Sequence, residues 1–216
     1  LAVLVALALC LTSSGNAAKY AGDAFSLGVG GRSLALGGAT VAGPFDPSAT
    51  YWNPAGMLSL NGRSVLAMHA ETFGSLLNHD FISYVDARQT DTGLIRAWGA
   101  YVYYLGGGGI KITQLDQYNR PYVVKEESHG DYLFAGSIAG RLSDRIDFGF
   151  TGKVIYRDIG TESGIGLTVD AGGIYRVHKY ATIGLMVSDI TTGFIRYSGK
   201  TFDTGGNTES IYPTVR

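Results

Sequence analysis

The stretch that decides the fold runs from Ile146 to Asp158 and reads IDFGFTGKVIYRD. One set of alternate positions is apolar and consists of Ile146, Phe148, Phe150, Val154 and Tyr156. The opposite set is polar and includes Asp147, Thr151, Lys153 and Arg157. Since successive side chains of a strand point to opposite faces, this stretch predicts a strand with one apolar and one polar face.

Six other segments follow similar patterns, least regularly in the first three, where Ile82 and Tyr84 share a side with Asp86 and Arg88. Lengths of about nine to fourteen residues are typical of tilted membrane strands rather than of strands in soluble sheets. The predicted strands are Arg63–Glu71, His79–Arg88, Leu94–Leu105, Asp131–Leu142, Arg145–Asp158, Gly164–Val177 and Ala181–Ile190, with another beginning near Ile211.

The connectors between these strands alternate in length. If the N-terminus is periplasmic, the connectors on the outer side are Thr72–Asn78, Gly106–Gly130, Ile159–Ser163 and Thr191–Ser210. Those on the periplasmic side are then Gln89–Gly93, Ser143–Asp144 and His178–Tyr180. Short periplasmic turns and long outer loops are the rule for bacterial barrels. The sequence therefore predicts an all-β, antiparallel transmembrane β-barrel, with a soluble secreted β-sandwich as the alternative.

The composition agrees with a barrel. The chain has 32 Gly, more Tyr (14) than Phe (9), and only 16% charged residues. Glycine fits bends and crowded interiors, and tyrosine is enriched at both membrane–water interfaces. The net charge of −1 gives no indication of a nucleic-acid partner.

Residues 1–18 are predicted to be a secretory signal peptide. The apolar run Leu1–Leu11 is too short to span a bilayer as a helix and is followed by small residues up to Ala18. We expect its first residues to be missing, because neither an initiator Met nor a basic region precedes the run. Cys10, the only cysteine, lies inside it, so the mature chain is predicted to carry no thiol. No later run is long enough to predict a transmembrane helix.

Residues 19–60 form a separate region, which is rich in glycine and does not alternate like a strand. Two stretches carry its identity: Gly30-Gly31-Arg32-Ser33-Leu34-Ala35-Leu36-Gly37-Gly38-Ala39, and, after Asp46, Ser48-Ala49-Thr50-Tyr51-Trp52-Asn53-Pro54-Ala55-Gly56. In combination they resemble the N-terminal region of PorV/PorQ-like proteins, a branch of the FadL superfamily of outer-membrane barrels. Gly43-Pro44-Phe45 departs from the small and acidic residues more usual there.

The resemblance implies a barrel of about 14 strands whose N-terminal segment folds inward as a hatch. Residues 61–216 would then be the first half of that barrel, with about seven to eight strands. We expect the native chain to continue, because an open sheet edge in hydrocarbon leaves backbone groups unpaired at several kcal/mol each. The hatch or gate candidates are Arg32, Gly37, Gly38, Trp52, Asn53, Pro54, Ala55 and Gly56. A plug that never moves is the alternative to a gate.

Polar side chains of several strands are predicted to face the lumen of the barrel. Its polar candidates are Asp147, Lys153, Arg157, Asp170 and Arg176, with Asp86 expected to face the same way, and carboxylates are expected to pair with the basic residues. Ser198-Gly199-Lys200-Thr201 lacks P-loop spacing, and the four histidines lack metal-ligand spacing. No nucleophile with a base and an orienting group is recognisable. We therefore predict no enzyme activity, no cofactor and no metal.

Two functions follow from these predictions. In the first, the protein transports hydrophobic or amphipathic small molecules through a hatch-gated barrel in the bacterial outer membrane, with membrane lipid around it. In the second, its outer loops bind exported proteins or subunits of a type IX secretion system. The loop Gly106–Gly130 mixes charged residues with Tyr118 and Tyr122, which suits a protein partner.

Overall fold

The computed structural model describes residues 23–72, 74, 76–88, 93–159, 162–190, 194–199, 208–210 and 214–215. The predicted signal peptide, Cys10 and the strand start near Ile211 lie outside these ranges. The ten strands are β1 (Gly62–Thr72), β2 (Leu77–Ala87), β3 (Ile95–Leu115), β4 (Pro121–Ser143), β5 (Ile146–Ile159), β6 (Glu162–His178), β7 (Ala181–Ser188), β8 (Phe194–Gly199), β9 (Thr208–Ser210) and β10 (Thr214–Val215).

The strands form one antiparallel sheet that curls into a half-barrel. Strands β1 to β7 pair in chain order, and β10 pairs with β7. Strand β8 pairs with β6 and β9. The all-β antiparallel prediction is confirmed. Within the described ranges, no helix has both the length and the apolar character needed to cross a membrane.

Residues 23–60, which we call the inner segment, contain no strand. They form short helical turns, namely a 3₁₀ helix at Asp23–Leu27, α1 (Gly31–Ala35), α2 (Ala49–Trp52) and a second 3₁₀ helix at Pro54–Ser59. Turn chemistry explains α2, because the Asp46 carboxylate accepts hydrogen bonds from the Ser48 backbone N–H (2.8 Å) and hydroxyl (2.5 Å). We call the sheet face that packs on this segment the inner face.

The two faces of the sheet differ as the alternation predicted. On β5, Asp147 and Thr151 are fully buried on the inner face, while Phe150 and Val154 on the outward face are 46% and 42% exposed. The large apolar side chains exposed on the outward face of the strands include Val65, Ile82, Trp98, Phe134, Ile138, Ile146, Phe150, Val154, Ile165, Leu167, Val169, Tyr175, Ile183 and Leu185.

The irregular alternation of the first strands has a packing cause. In β2 and β3 the inner face is itself apolar, since Phe81, Val85 and Tyr103 are buried there, while Ile82 on the outward face is exposed. Phe81 and Tyr103 form a cluster with inner-segment side chains, namely Phe25, Val29, Tyr51 and Trp52, and Val85 lies in a second cluster with Ala49 and Met57. Both faces of β2 therefore carry apolar side chains, and polarity alone does not distinguish the inner face of this strand from the outward one.

Two predicted loops were wrong. Residues 106–130 continue β3 and β4 as a hairpin whose ladder ends at Leu115 and Pro121, with only residues 116–120 outside the strands. In the second, Thr191–Ser210, the described residues include β8 and β9, which pair with each other. The tight turns after β4 and β6, at Asp144–Arg145 and Lys179–Tyr180, lie where short connectors were expected.

Candidate functional site

The inner segment meets the inner face most closely at Asn53, whose side chain is completely buried. Its amide nitrogen donates to the carbonyl of Val41 (2.8 Å) and to that of Gly173 in β6 (3.2 Å). Its amide oxygen accepts from the backbone N–H of Ala55 (3.2 Å) and so caps the second 3₁₀ helix. One side chain therefore joins two parts of the inner segment to the sheet.

Two glycines make this approach geometrically feasible. Gly149 of β5 and Gly172 of β6 are register partners. A Cβ on Gly172 would overlap the Asn53 amide oxygen, and one on Gly149 would overlap the backbone of Pro54 and Ala55. Since only glycine lacks a Cβ, these two positions form a flat surface on which Asn53-Pro54-Ala55 rests.

Neighbouring hydroxyl groups continue the contact. Thr50 Oγ1 lies 3.0 Å from the Ser83 hydroxyl of β2, and Ser83 also donates to the carbonyl of Pro47 (2.7 Å). The hydroxyls of Ser137 and Thr151, on β4 and β5, lie 2.8 Å apart, and both are close to the Thr50 carbonyl. These buried groups satisfy one another, so the segment is held by polar bonds as well as by packing.

Trp52 and Tyr51 fix the earlier part of the inner segment. The Trp52 indole nitrogen donates to the carbonyl of Val29 (2.8 Å), and the Tyr51 hydroxyl donates to that of Phe25 (2.6 Å). The Trp52 ring packs closely against Gly28 and Gly38, both of which have positive φ. A side chain at either glycine would meet the ring and strain the backbone.

The remaining gate candidates lie in a less contacted part of the segment. Arg32 of α1 and Gly37 are exposed, as are Leu34 (40%) and Leu36 (47%). A Cβ on Gly37 would meet no atom within 4 Å. The structure thus separates the candidates into two groups: Trp52 to Gly56 are buried contacts, whereas Arg32 and Gly37 are not.

Charged side chains on the inner face form ion pairs. Lys153 Nζ lies 2.7 Å from Asp170 Oδ1 and 2.6 Å from Asp189 Oδ1, with the Lys153 side chain only 8% exposed. Asp189 directly follows the last residue of β7 and has a positive φ of 59°. Its backbone N–H donates a hydrogen bond to the Asp170 carboxylate (2.8 Å). Aspartate tolerates this left-handed conformation better than most residues.

Three further ion pairs lie at other levels of the same face. Arg157 Nε lies 2.9 Å from Asp131 Oδ1. Asp147, which is completely buried, pairs with Arg141 (2.9 Å) and with Arg176. Each of the three predicted basic residues, Lys153, Arg157 and Arg176, therefore forms an ion pair with an aspartate. Pairing with its aspartates offsets part of the cost of burying Lys153, but leaving either charge without its partner would be strongly destabilising.

One predicted position was wrong. Asp86 lies on the opposite face from Asp147 and Asp170, because it is the register partner of Arg63 at an outward position of β1. It pairs there with Arg63 (3.3 Å) and Arg88 (2.8 Å). Its side chain is only 3% exposed because these two guanidinium groups cover it.

Sequence reasoning missed several participants. Asp131, Asp189 and Arg141 were not singled out, although the alternation places Asp131 and Arg141 on the inner face of β4. Gly149 and Gly172, the glycines beneath Asn53, belong to no recognisable sequence motif. Their importance becomes visible only when the fold places Asn53, Pro54 and Ala55 against them. Among the described residues, no group of His, Cys, Asp and Glu has the arrangement of a metal site.

No protein-family model and no curated protein matches the chain.

Proposed function

We propose that this protein spans the bacterial outer membrane as a β-barrel and that its inner segment is a hatch controlling the passage of hydrophobic or amphipathic small molecules. The observation that carries the proposal is the distribution of polarity over the two faces of the sheet, which is the reverse of that in a water-soluble protein. Apolar side chains are exposed on the outward face, and ion pairs are buried on the inner face. A water-exposed sheet would present the reverse arrangement, and an exposed apolar surface of this extent needs a partner.

Tyrosines at one level support a lipid partner. Tyr104, Tyr132 and Tyr156 are register partners on adjacent strands, with ring centroids 4.9 and 6.2 Å apart. They lie at the end of the strands near the β3–β4 hairpin. Aromatic girdles of this kind mark the membrane–water interface in barrels.

A second aromatic level lies towards the other end of the strands. It includes Tyr84 and Trp98, whose rings are 5.2 Å apart, and Phe148. Tyr104 and Trp98 are separated by about 20 Å along β3, and Tyr156 and Phe148 by about 26 Å along β5, at ~3.3 Å per residue. Because barrel strands are tilted by about 35–45°, these paths span about 14–21 Å of height, which fits within the ~25 Å apolar band of an outer-membrane barrel. From β3 to β6, every described outward position between the levels is uncharged.

Closure of the barrel is part of the proposal. Strand β1 has β2 as its neighbour on one side, and no described strand pairs with its other edge. An unpaired edge in hydrocarbon would cost several kcal/mol per backbone group. We therefore propose about 14 strands in the complete barrel, with the seven of the meander forming one side of its wall.

The contacts of the inner segment support dividing the proposed hatch into an anchored part and a movable part. Asn53 to Gly56 anchor it, because their removal would break buried bonds to β6. Residues 31–38 are the movable part, since they are mostly exposed and are flanked by left-handed glycines at Gly28 and Gly30 before them and Gly37 and Gly38 at their end. Glycine at positive φ allows the backbone to change conformation at low cost.

Membrane insertion is tested by placing a charge in the band. Val154→Lys should reduce insertion into lipid by about 2–4 kcal/mol, measured as recovery in urea-washed outer membranes and by folding into vesicles. Val124→Lys is the matched control, because Val124 is similarly exposed (49%) but lies in the β3–β4 hairpin beyond the tyrosine level. Recovery of the unaltered protein in the periplasmic soluble fraction would rule out the proposal.

Gating is tested separately at Gly37. Gly37→Ala strains a backbone with φ 64° without any clash, and Gly74→Ala does the same in the β1–β2 turn, where φ is 66°. We expect Gly37→Ala alone to change the permeability of proteoliposomes to small amphipathic solutes. Equal permeability of both variants and the parent would show that the inner segment is a static plug.

A second function is favoured by one feature, the projecting β3–β4 hairpin. It continues past the strand pairs Asn78–Gly106 and Gly130–Asp158, where the neighbouring strands stop pairing with it. A surface of this kind suits the binding of exported proteins or secretion-system subunits. Co-purification of such proteins with the parent, but not with a variant lacking residues 108–128, would support this function over small-molecule transport.

A further inference from the structure

The projecting part of the β3–β4 hairpin has two free strand edges. We call it the ribbon; it consists of residues 107–115 and 121–129. Strand β2 pairs with β3 only as far as Gly106, and β5 pairs with β4 only as far as Gly130. In the described part of the chain, the ribbon strands therefore have only each other as neighbours. Half of their backbone donors and acceptors point away from the ladder.

The ribbon is also unusually apolar for an isolated hairpin. A two-stranded hairpin is at best marginally stable in water, yet several of its large apolar side chains are 43–61% exposed: Ile112, Leu115, Tyr122, Val123 and Val124. Exposed apolar side chains beside an unpaired strand edge form a template for the addition of another strand.

The two edges are not equivalent. The edge of β4 carries Pro121, which has no N–H, and the bulge at Val124, where the register passes from Ile112–Lys125 to Thr113–Val123. Proline and bulges are the features that protect edge strands from pairing. On β3, residues 110–115 read IKITQL, with no proline or glycine. Every one of these six residues has a register partner, so this segment contains no bulged residue; the unpaired Gly108 and Gly109 of β3 lie before it.

We propose that the β3 edge at residues 110–115 binds an extended segment of another polypeptide by β-strand addition. Backbone hydrogen bonds provide the affinity, and side chains at alternate positions provide the selectivity. The bound segment carries apolar or β-branched residues beside Ile112 and an acidic residue beside Lys111, the only charged residue of this edge. The inference rests on the proposed function insofar as the ribbon must lie outside the membrane.

The test uses the detergent-purified protein and a defined probe, a seven-residue peptide of alternating Val and Thr with Glu at its centre. Amide hydrogen exchange should slow at least about tenfold at those residues of Lys111–Leu115 whose N–H groups point away from β4, and much less at residues 121–129. The same peptide with alternate N-methylated residues should have no effect, because it cannot complete the ladder. No slowing at millimolar peptide, or slowing only on β4, would overturn the proposal.

Reversing the charge at Lys111 distinguishes specific peptide recognition from non-specific hydrophobic binding. Lys111→Glu should weaken the Glu peptide about fivefold and strengthen a peptide with Lys in its place, because like charges on neighbouring strands repel. Lys125→Glu, an exposed change on the other strand, should alter neither affinity. Concentration-dependent protection of the β3 edge without peptide would instead identify a second copy of the chain as the occupant. Strand addition by a protein recovered in the soluble fraction would uphold this inference while refuting the membrane proposal.

Discussion

Gly172 lies directly beneath the Asn53 side chain, so that a Cβ at Gly172 would overlap the Asn53 amide oxygen. Gly149, its register partner, lies in the same way beneath the backbone of Pro54 and Ala55. The Asn-Pro-Ala turn and the two strand glycines are therefore complementary halves of one contact. This contact fixes the distance between the inner segment and the sheet.

Gly172→Ala should destabilise the protein by about 1–3 kcal/mol, because the added methyl group forces apart two well-packed surfaces. The measurement is the free energy of unfolding in urea, followed by tryptophan fluorescence in detergent. Gly152→Ala and Gly136→Ala are matched controls, since both are exposed strand glycines whose added Cβ would meet nothing within 4 Å. If all three variants unfold alike, close packing at Gly172 is not important for stability.

The stability of the protein should decrease more when Asn53 is replaced by a charged residue than when its side chain is truncated. Asn53→Ala removes three hydrogen bonds and should cost about 2–4 kcal/mol. Asn53→Asp has nearly the same shape, but its carboxylate would face the carbonyl oxygens of Val41 and Gly173, to which the amide now donates. We expect the aspartate variant to be the less stable of the two at neutral pH. The reverse order in urea unfolding would contradict the donor role assigned to the amide nitrogen.

Lys153 should be one of the most sensitive charged residues. Lys153→Met leaves the carboxylates of Asp170 and Asp189 together without their shared cation and should cost about 3–5 kcal/mol. Lys125→Met is the control, because Lys125 forms a similar 2.6 Å pair with Glu127 but its side chain is 64% exposed. Exposed pairs contribute about 0–1 kcal/mol. Equal unfolding free energies for the two variants would refute the importance of burial at Lys153.

The strands from β4 to β7 were predictable from the sequence because their two faces differ in polarity. Asp147, Thr151 and Lys153 alternate with Phe148, Phe150 and Val154, and the structure separates these two sets onto opposite faces. Asp86 was misplaced for the converse reason. Its strand buries Phe81 and Val85 against the inner segment, so polarity there does not indicate which face is inner.

The contacts of the inner segment could be predicted only in part. The sequence singled out Asn53, Pro54 and Ala55 as hatch candidates but gave no indication of Gly149 and Gly172, which lie about 100 residues further on. Such long-range complementarity appears only when the register is known. The hairpin after Leu105 was also missed, because Gly106–Gly109 is typical of a loop and conceals a ladder that continues beyond it.

The turn at the tip of the ribbon should depend on pH. The Asp116 carboxylate accepts hydrogen bonds from the backbone N–H of Arg120 (2.9 Å) and of Tyr118 (2.8 Å), and from the Arg120 side chain (3.0 Å). These contacts, the Arg120 backbone first, hold the pKa of Asp116 below its ordinary value. A lowered pKa means that the turn is stabilised above the ordinary aspartate pKa and loses this contribution as pH falls through the lowered one.

Asp116→Asn should remove that dependence. Amide hydrogen exchange at Tyr118 and Arg120 should speed up in the parent as the pH falls below the ordinary aspartate pKa of about 3.9, after correction for intrinsic rates, and should change little in the variant. Exchange at Phe134, inside the sheet, serves as the internal control. Identical pH profiles for parent and variant would show that the carboxylate does not organise the turn.

The two tryptophans offer a direct test of which face meets lipid. Trp52 is buried within the inner segment, with 6% of its surface exposed, whereas Trp98 is 52% exposed on the outward face of β3. In vesicles of lipid brominated along the acyl chain, the Trp52→Phe variant, which retains Trp98, should lose most of its fluorescence. The Trp98→Phe variant, which retains Trp52, should lose little, because bromine quenches only at close range. Acrylamide in the aqueous phase should quench Trp98 weakly in vesicles. Strong aqueous quenching of Trp98 together with no bromine effect would mean that the apolar outward face does not contact lipid.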